Sequence, residues 1–132
     1  MKRKSFVSAI LVCLFILAGC ADTTSGVWVN SQGQSRIDNH QLAQDVILEN
    51  LQTRHIGDLM QGITLITSKA SIDLRLQYKF TWFDAQGVAI DEEASPWKSL
   101  TLHGMQSIQV NAVAPNPQAQ SFEVYLREAH SY

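Results

Sequence analysis

The chain has 132 residues, room for one domain, and its 45% hydrophobic and 17% charged composition is ordinary for a globular protein. Ten Lys and Arg stand against twelve Asp and Glu, a formal charge of −2, which excludes nucleic-acid binding driven by overall basicity. The N-terminus departs from the rest: Lys2, Arg3 and Lys4 precede an apolar run from Phe6 to Leu17, and Leu17-Ala18-Gly19-Cys20 closes it with small residues. A basic start, a short apolar segment and a small-residue exit describe a secretory signal. The run is shorter than the about 20 apolar residues that a spanning helix needs.

The Leu-Ala-Gly-Cys ending resembles the lipobox of bacterial lipoproteins. That resemblance implies lipid transfer to the Cys20 thiol, cleavage before it, and acylation of the new amine. Residues 1–19 are then the signal peptide, and the covalent lipid on Cys20 is the one prosthetic group expected. One acyl chain holds a protein only reversibly, since each buried methylene contributes about 0.8 kcal/mol; two or three chains make departure slow. Cys13 leaves with the signal, so no disulfide is expected. Loss of the three basic residues leaves seven against the same twelve acidic ones, about −5, which argues against nucleic acid and anionic headgroups as partners through a basic face. By the sorting pattern of such lipoproteins, Ala21 rather than Asp after Cys20 points to the outer membrane of a two-membrane host, facing the periplasm.

Residues 20–44 are rich in Ser, Thr, Asn, Gln and Gly and read as a tether, which at about 5–6 Å × √n spans roughly 27 Å. Val27-Trp28-Val29 interrupts it, as a short strand docked on the domain or as an exposed partner motif. A domain is expected over 45–132. Its best strand holds Leu74, Leu76, Tyr78, Phe80 and Trp82, alternating with Arg75, Gln77, Lys79 and Thr81. A helix would scatter these five apolar residues; a strand puts them on one face. Asp84 to Gly87 is a turn signal, and Val88 to Ile90 returns beside it. Phe122, Val124 and Leu126 repeat the alternation, with Glu123, Tyr125 and Arg127 facing the other way. Weaker strands cover 46–53, 61–67, 99–102 and 107–113. Helical periodicity is confined to a short turn near Gln41 to Gln44. The pattern predicts an all-β, immunoglobulin-like antiparallel sandwich of about six to seven strands.

The segments Leu74 to Phe83, Asp84 to Gly87, Ser95-Pro96-Trp97, Leu100 to Gly104, Val113 to Pro117 and Tyr125 to Glu128, in this order and spacing, resemble the YcfL-type family of periplasmic lipoproteins. The resemblance covers about Leu42 to Glu128. It implies a β-sandwich of uncharacterised function whose relatives are commonly encoded near the lipoprotein activator of a penicillin-binding protein, which points to a role in the cell envelope. It carries over no catalytic residue.

Candidate chemistry is thin. Ser95-Pro96-Trp97-Lys98 satisfies S-x-x-K, but the accompanying motifs and larger scaffold of penicillin-recognising enzymes are missing. His40, His55, His103 and His130 lack zinc-ligand spacing; only folding could bring His55, His103 or a carboxylate together. Asp91-Glu92-Glu93 lacks a calcium-loop pattern and reads as a solvated acidic loop that discourages edge pairing. No catalytic or metal site is expected. Trp97, with Pro96 and Asn116, is the candidate contact surface, where a loop Trp anchors a partner or folds back over the sandwich. The functional expectation is a membrane-anchored, non-enzymatic interaction module meeting an envelope protein, a peptidoglycan-synthesis component among the candidates, through a sheet edge or the loops holding Trp97 and Pro115-Asn116-Pro117. The alternative is a ligand- or glycan-binding domain with Trp28 and Trp97 as platforms.

Overall fold

The computed structural model describes residues 26–129. Nine strands form two antiparallel sheets within this span. They are β1 (Gly26–Asn30), β2 (Ser35–Ile37), β3 (Val46–Ile56), β4 (Leu59–Ser68), β5 (Leu74–Phe83), β6 (Ala89–Ile90), β7 (Lys98–Leu102), β8 (Ser107–Val113) and β9 (Ser121–Glu128). One helix, α1 (His40–Asp45), joins β2 to β3. The larger sheet runs β2-β1-β9-β5, with β6 and β7 both on the far edge of β5; the smaller runs β3-β4-β8. Both cysteines lie outside the described residues, so the sandwich there is held by packing.

The sandwich follows an immunoglobulin-like order, with β3, β4 and β8 in one sheet and β5 and β9 central in the other. One place is filled unusually. The strand beside β9, which ordinarily follows it in the chain, is β1 from the N-terminal end. Nine strands therefore replace the expected six or seven, because β1 and β2 come from the segment read as tether.

Residues 1–25, with the expected signal peptide and Cys20, lie outside the described residues, whereas 26–44 are folded. Val27 is buried, and β1 pairs with β9 from Gly26↔Arg127 to Asn30↔Glu123. Asn30 turns the chain into β2: its Oδ1 accepts from the backbone N–H groups of Gln32 (3.1 Å) and Gln34 (2.9 Å). Asn39 then caps α1, its Oδ1 accepting from Leu42 N–H at 3.0 Å, and Leu42 is sunk in the core. Polar composition disguised this segment, since its hydrogen bonds go to turns, caps and a neighbouring strand rather than to water.

The core forms where the alternations of β5 and β9 meet. Trp82 pairs with Phe122 and Phe80 with Val124. The Phe80, Trp82 and Phe122 rings contact one another with centroids 5.6–6.1 Å apart. From the smaller sheet, Gly62 lies under the Phe122 ring; a Cβ there would stand 2.9 Å from it. In β3 the register shifts between Glu49 and Gln52, with Asn50 in the left-handed region at φ 53°. The fully buried Thr64 sits opposite the bulge and donates its hydroxyl to Glu49 O at 3.0 Å.

Two substitutions measure this packing. Phe80→Ala should destabilise the domain by about 3–5 kcal/mol through the cavity it leaves. Gly62→Ala should cost about 1–3 kcal/mol by driving a methyl group into the Phe122 ring. Urea unfolding followed by tryptophan fluorescence reads both, and a neutral Gly62→Ala would contradict the packing described.

Candidate functional site

The face of the larger sheet turned away from the core is built by the same alternation. With Phe122, Val124 and Leu126 pointing inward, β9 offers Glu123, Tyr125 and Arg127 outward; β5 offers Arg75, Gln77, Lys79 and Thr81. Register aligns neighbours into a row. Arg36 pairs with Trp28, Trp28 with Tyr125, and Tyr125 with Lys79.

Two indoles dominate this face. The Arg36 guanidinium lies 4.1 Å from the Trp28 ring centroid. Its Nε is also 3.3 Å from Asp38 Oδ1, an exposed ion pair that adds little. Trp97, just before β7, folds onto the sheet with its ring edge-on to Tyr125 at 5.2 Å and 65°. The Arg127 guanidinium covers it at 3.7 Å, and the Lys79 ammonium lies 5.9 Å away. Arg127 is held in place by its Nε, which donates to Gln77 Oε1 at 3.0 Å. Such cation–π contacts are worth about 0.5–1 kcal/mol each when exposed. All three aromatic rings remain half-buried.

Trp97 therefore folds back over the outer face of a sheet, not over the open end of the sandwich. Pro96 is exposed beside a groove between β5 and β8, lined by Tyr78, Phe80, Trp82, Ser95 and Ala112. That groove holds about 150 Å³, against the about 300–1,000 Å³ of ordinary small-molecule sites. Burial there raises the Tyr78 hydroxyl pKa. Asn116 lies elsewhere, in the β8–β9 loop, with its Oδ1 accepting from Gln118 N–H at 2.9 Å. Trp97 and Pro96 are consecutive but differ in surroundings, Trp97 over the outer sheet face and Pro96 at the groove. Tyr125, Arg127, Trp28 and Arg36 join Trp97 on the outer face; the outward positions of β9 and the pairing of Trp28 with Trp97 as platforms point to this, while Arg36 carries no signal in the sequence.

The remaining motifs resolve plainly. Ser95 ends a 3-10 turn (Glu92–Ala94) rather than opening a helix, so S-x-x-K lacks its structural context. That turn separates β6 from β7 and exposes Glu92 and Glu93 at the sheet edge. His55, near the end of β3, and His103, after β7, fold to opposite poles; His103 Nδ1 is 3.0 Å from Asp73 Oδ1. Among the described residues, no three His, Cys, Asp or Glu side chains converge on a metal position.

Glu123 is the titrating group of the outer face. Burial raises its pKa, and the Arg36 charge offsets part of the rise. The folded state thus holds the proton more tightly than the unfolded chain. Stability from this group is fully present below the ordinary Glu range and is lost as pH rises through the folded value. Glu123→Gln should accordingly raise the melting temperature at pH 7 and converge with wild type below about pH 4. Paired thermal melts across that range check the sign; a variant less stable at pH 7 contradicts it.

Comparison with known proteins agrees with this architecture. A Shewanella sp. pv-4 crystal structure, a DUF1425 family member, is 41% identical, covers 81% of this chain and 99% of its own, and superposes with a TM-score of 0.62. Campylobacter jejuni cj0090 is 14% identical over 62% of this chain and 85% of its own, with a TM-score of 0.52, a likeness of fold. No curated protein matches the chain. The family model described as protein of unknown function (DUF1425) matches residues 33–128, nearly the whole span from β2 to the end of β9, and the chain belongs to that family.

Proposed function

We propose that the protein is an acylated lipoprotein of the YcfL type, cleaved before Cys20, whose non-enzymatic sandwich binds an envelope protein through the outer face of its larger sheet. The observation that carries this reading is the cluster of Trp97, Tyr125, Arg127, Trp28 and Arg36. Core packing does not require these residues on the outside. Trp, Tyr and Arg are the residue types that dominate binding energy at protein interfaces. Both indoles have a guanidinium lying over the ring, which occupies a ring face that a sugar would stack on and so favours a protein surface over stacked sugar rings. The lipobox-like Leu17-Ala18-Gly19-Cys20 supports the anchor, and Ala21 supports the outer membrane. The family resemblance supports a partner in peptidoglycan synthesis.

Cys20→Ser should abolish metabolic labelling with a fatty-acid analogue and release the protein from membranes; retention on membranes without label would contradict acyl anchoring. Arg127→Glu should weaken partner capture by about 2 kcal/mol, the scale of an interface hot spot. Crosslinking in intact cells, with the pulled-down envelope proteins quantified, tests this. Unchanged capture in a folded Arg127→Glu variant would remove the face from consideration.

A further inference from the structure

Ile72 and Met105 are the most exposed large apolar side chains among the described residues, at 65% and 70%. They sit on the β4–β5 loop (69–73) and the β7–β8 loop (103–106), at the same pole of the sandwich. Backbone bonds tie the two loops together: Met105 N–H donates to Ala70 O at 2.9 Å, and Ser68 N–H to Gln106 O at 2.8 Å. Gly104 approaches so closely that a Cβ would stand 2.7 Å from Ser71 O, so only glycine fits there. The tips are presented on a braced support.

The N-terminal end of β1 faces the same pole. β1 and β5 are both antiparallel to β9 and so run parallel to each other. Gly26 is level with Arg127, and Arg127 with Gln77. Going backward from Gln77, Ile72 lies five residues on, at most about 17 Å along the strand direction. Going backward from Gly26, Cys20 lies six residues on, a reach of at most about 20–22 Å. Six residues are therefore long enough for an acyl group on Cys20 to reach the height of the two loop tips.

We infer that Ile72 and Met105 enter the headgroup–acyl boundary of the bilayer that holds Cys20, seating the domain with this pole on the membrane. The inference rests on the acyl anchor proposed above. Lys69, Arg75, His40 and His103 share the pole with Asp38, Asp45, Asp73 and Glu128, and the Lys69 ammonium is engaged by Ala43 O at 3.0 Å. This mixed charge does not select anionic headgroups. Apolar insertion next to a covalent anchor does the docking.

The test uses the full acylated protein in phosphatidylethanolamine–phosphatidylglycerol vesicles with brominated acyl chains. An environment-sensitive thiol dye is placed at Ile72→Cys, at Met105→Cys, or at Val88→Cys, an exposed site at the opposite pole. Flotation reads the anchor independently. The expected result is flotation of all three proteins, with blue-shifted and bromine-quenched emission at the first two sites, unaffected by added salt, and neither effect at Val88→Cys. Flotation without quenching at the first two sites, or with equal quenching at all three, overturns the docking alone. A blue shift without bromine quenching assigns the tips to a protein contact and also overturns it, as does quenching abolished by salt. Failure to float overturns the anchor and the docking with it.

Discussion

The register of β5 against β9, from Leu76↔Glu128 to Phe83↔Ser121, governs both sides of the larger sheet. Side chains alternate along each strand, so the pairing that sets Trp82 beside Phe122 inside also sets Lys79 beside Tyr125 outside. A slip of one residue would expose Phe80, Trp82 and Phe122 and bury Arg127. The three core rings resist that slip because each touches the other two. The exposed aromatic–cationic face is thus held in place by the hydrophobic effect acting on its reverse side.

The two edges of the larger sheet, and the β3 edge of the smaller, are poor places for a partner to add a strand. β2 is three residues long, and the opposite edge of that sheet is broken between β6 and β7 by a turn bearing Glu92 and Glu93. β3 is interrupted by its bulge at Asn50. Short, charged and bulged edges are the usual defences against sheet extension. With both of its edges blunted, the larger sheet offers its outer face, which is why that face carries the functional proposal in place of edge pairing.

The strands that alternate cleanly were legible. β5 and β9 follow from period two alone, and so does the division of their residues between core and exterior. Of the N-terminal strands, Val27-Trp28-Val29 was legible as a docked strand, but not its place beside β9. β2 was not legible, because Gly26–Ile37 contains too few apolar residues to show a period and its order depends on hydrogen bonds to β9, far away in the chain. The site was legible only in part. Trp97 stood out as a loop aromatic, but Arg127 and Tyr125 became its neighbours through the β5–β9 and β5–β7 pairings, and Arg36 meets Trp28 through a hairpin hidden in polar sequence.

The substitution of β1 for the ordinary last strand has a mechanical consequence for any acylated form. The strand nearest Cys20 is not an appendage: it pairs along its whole length with β9, and its Val27 packs into the core. A force applied through the anchor therefore loads backbone hydrogen bonds along the strand axis, where several must yield together. With the Ile72–Met105 pole on the bilayer, the strands stand across the membrane surface, and β5 at ten residues rises about 33 Å. The face holding Trp97, Tyr125 and Arg127 would then stand upright, within a few tens of Å of the lipid. A partner for it must present its own surface sideways and close to the membrane, which favours proteins anchored in or resting on the same leaflet over those reached only across the periplasm.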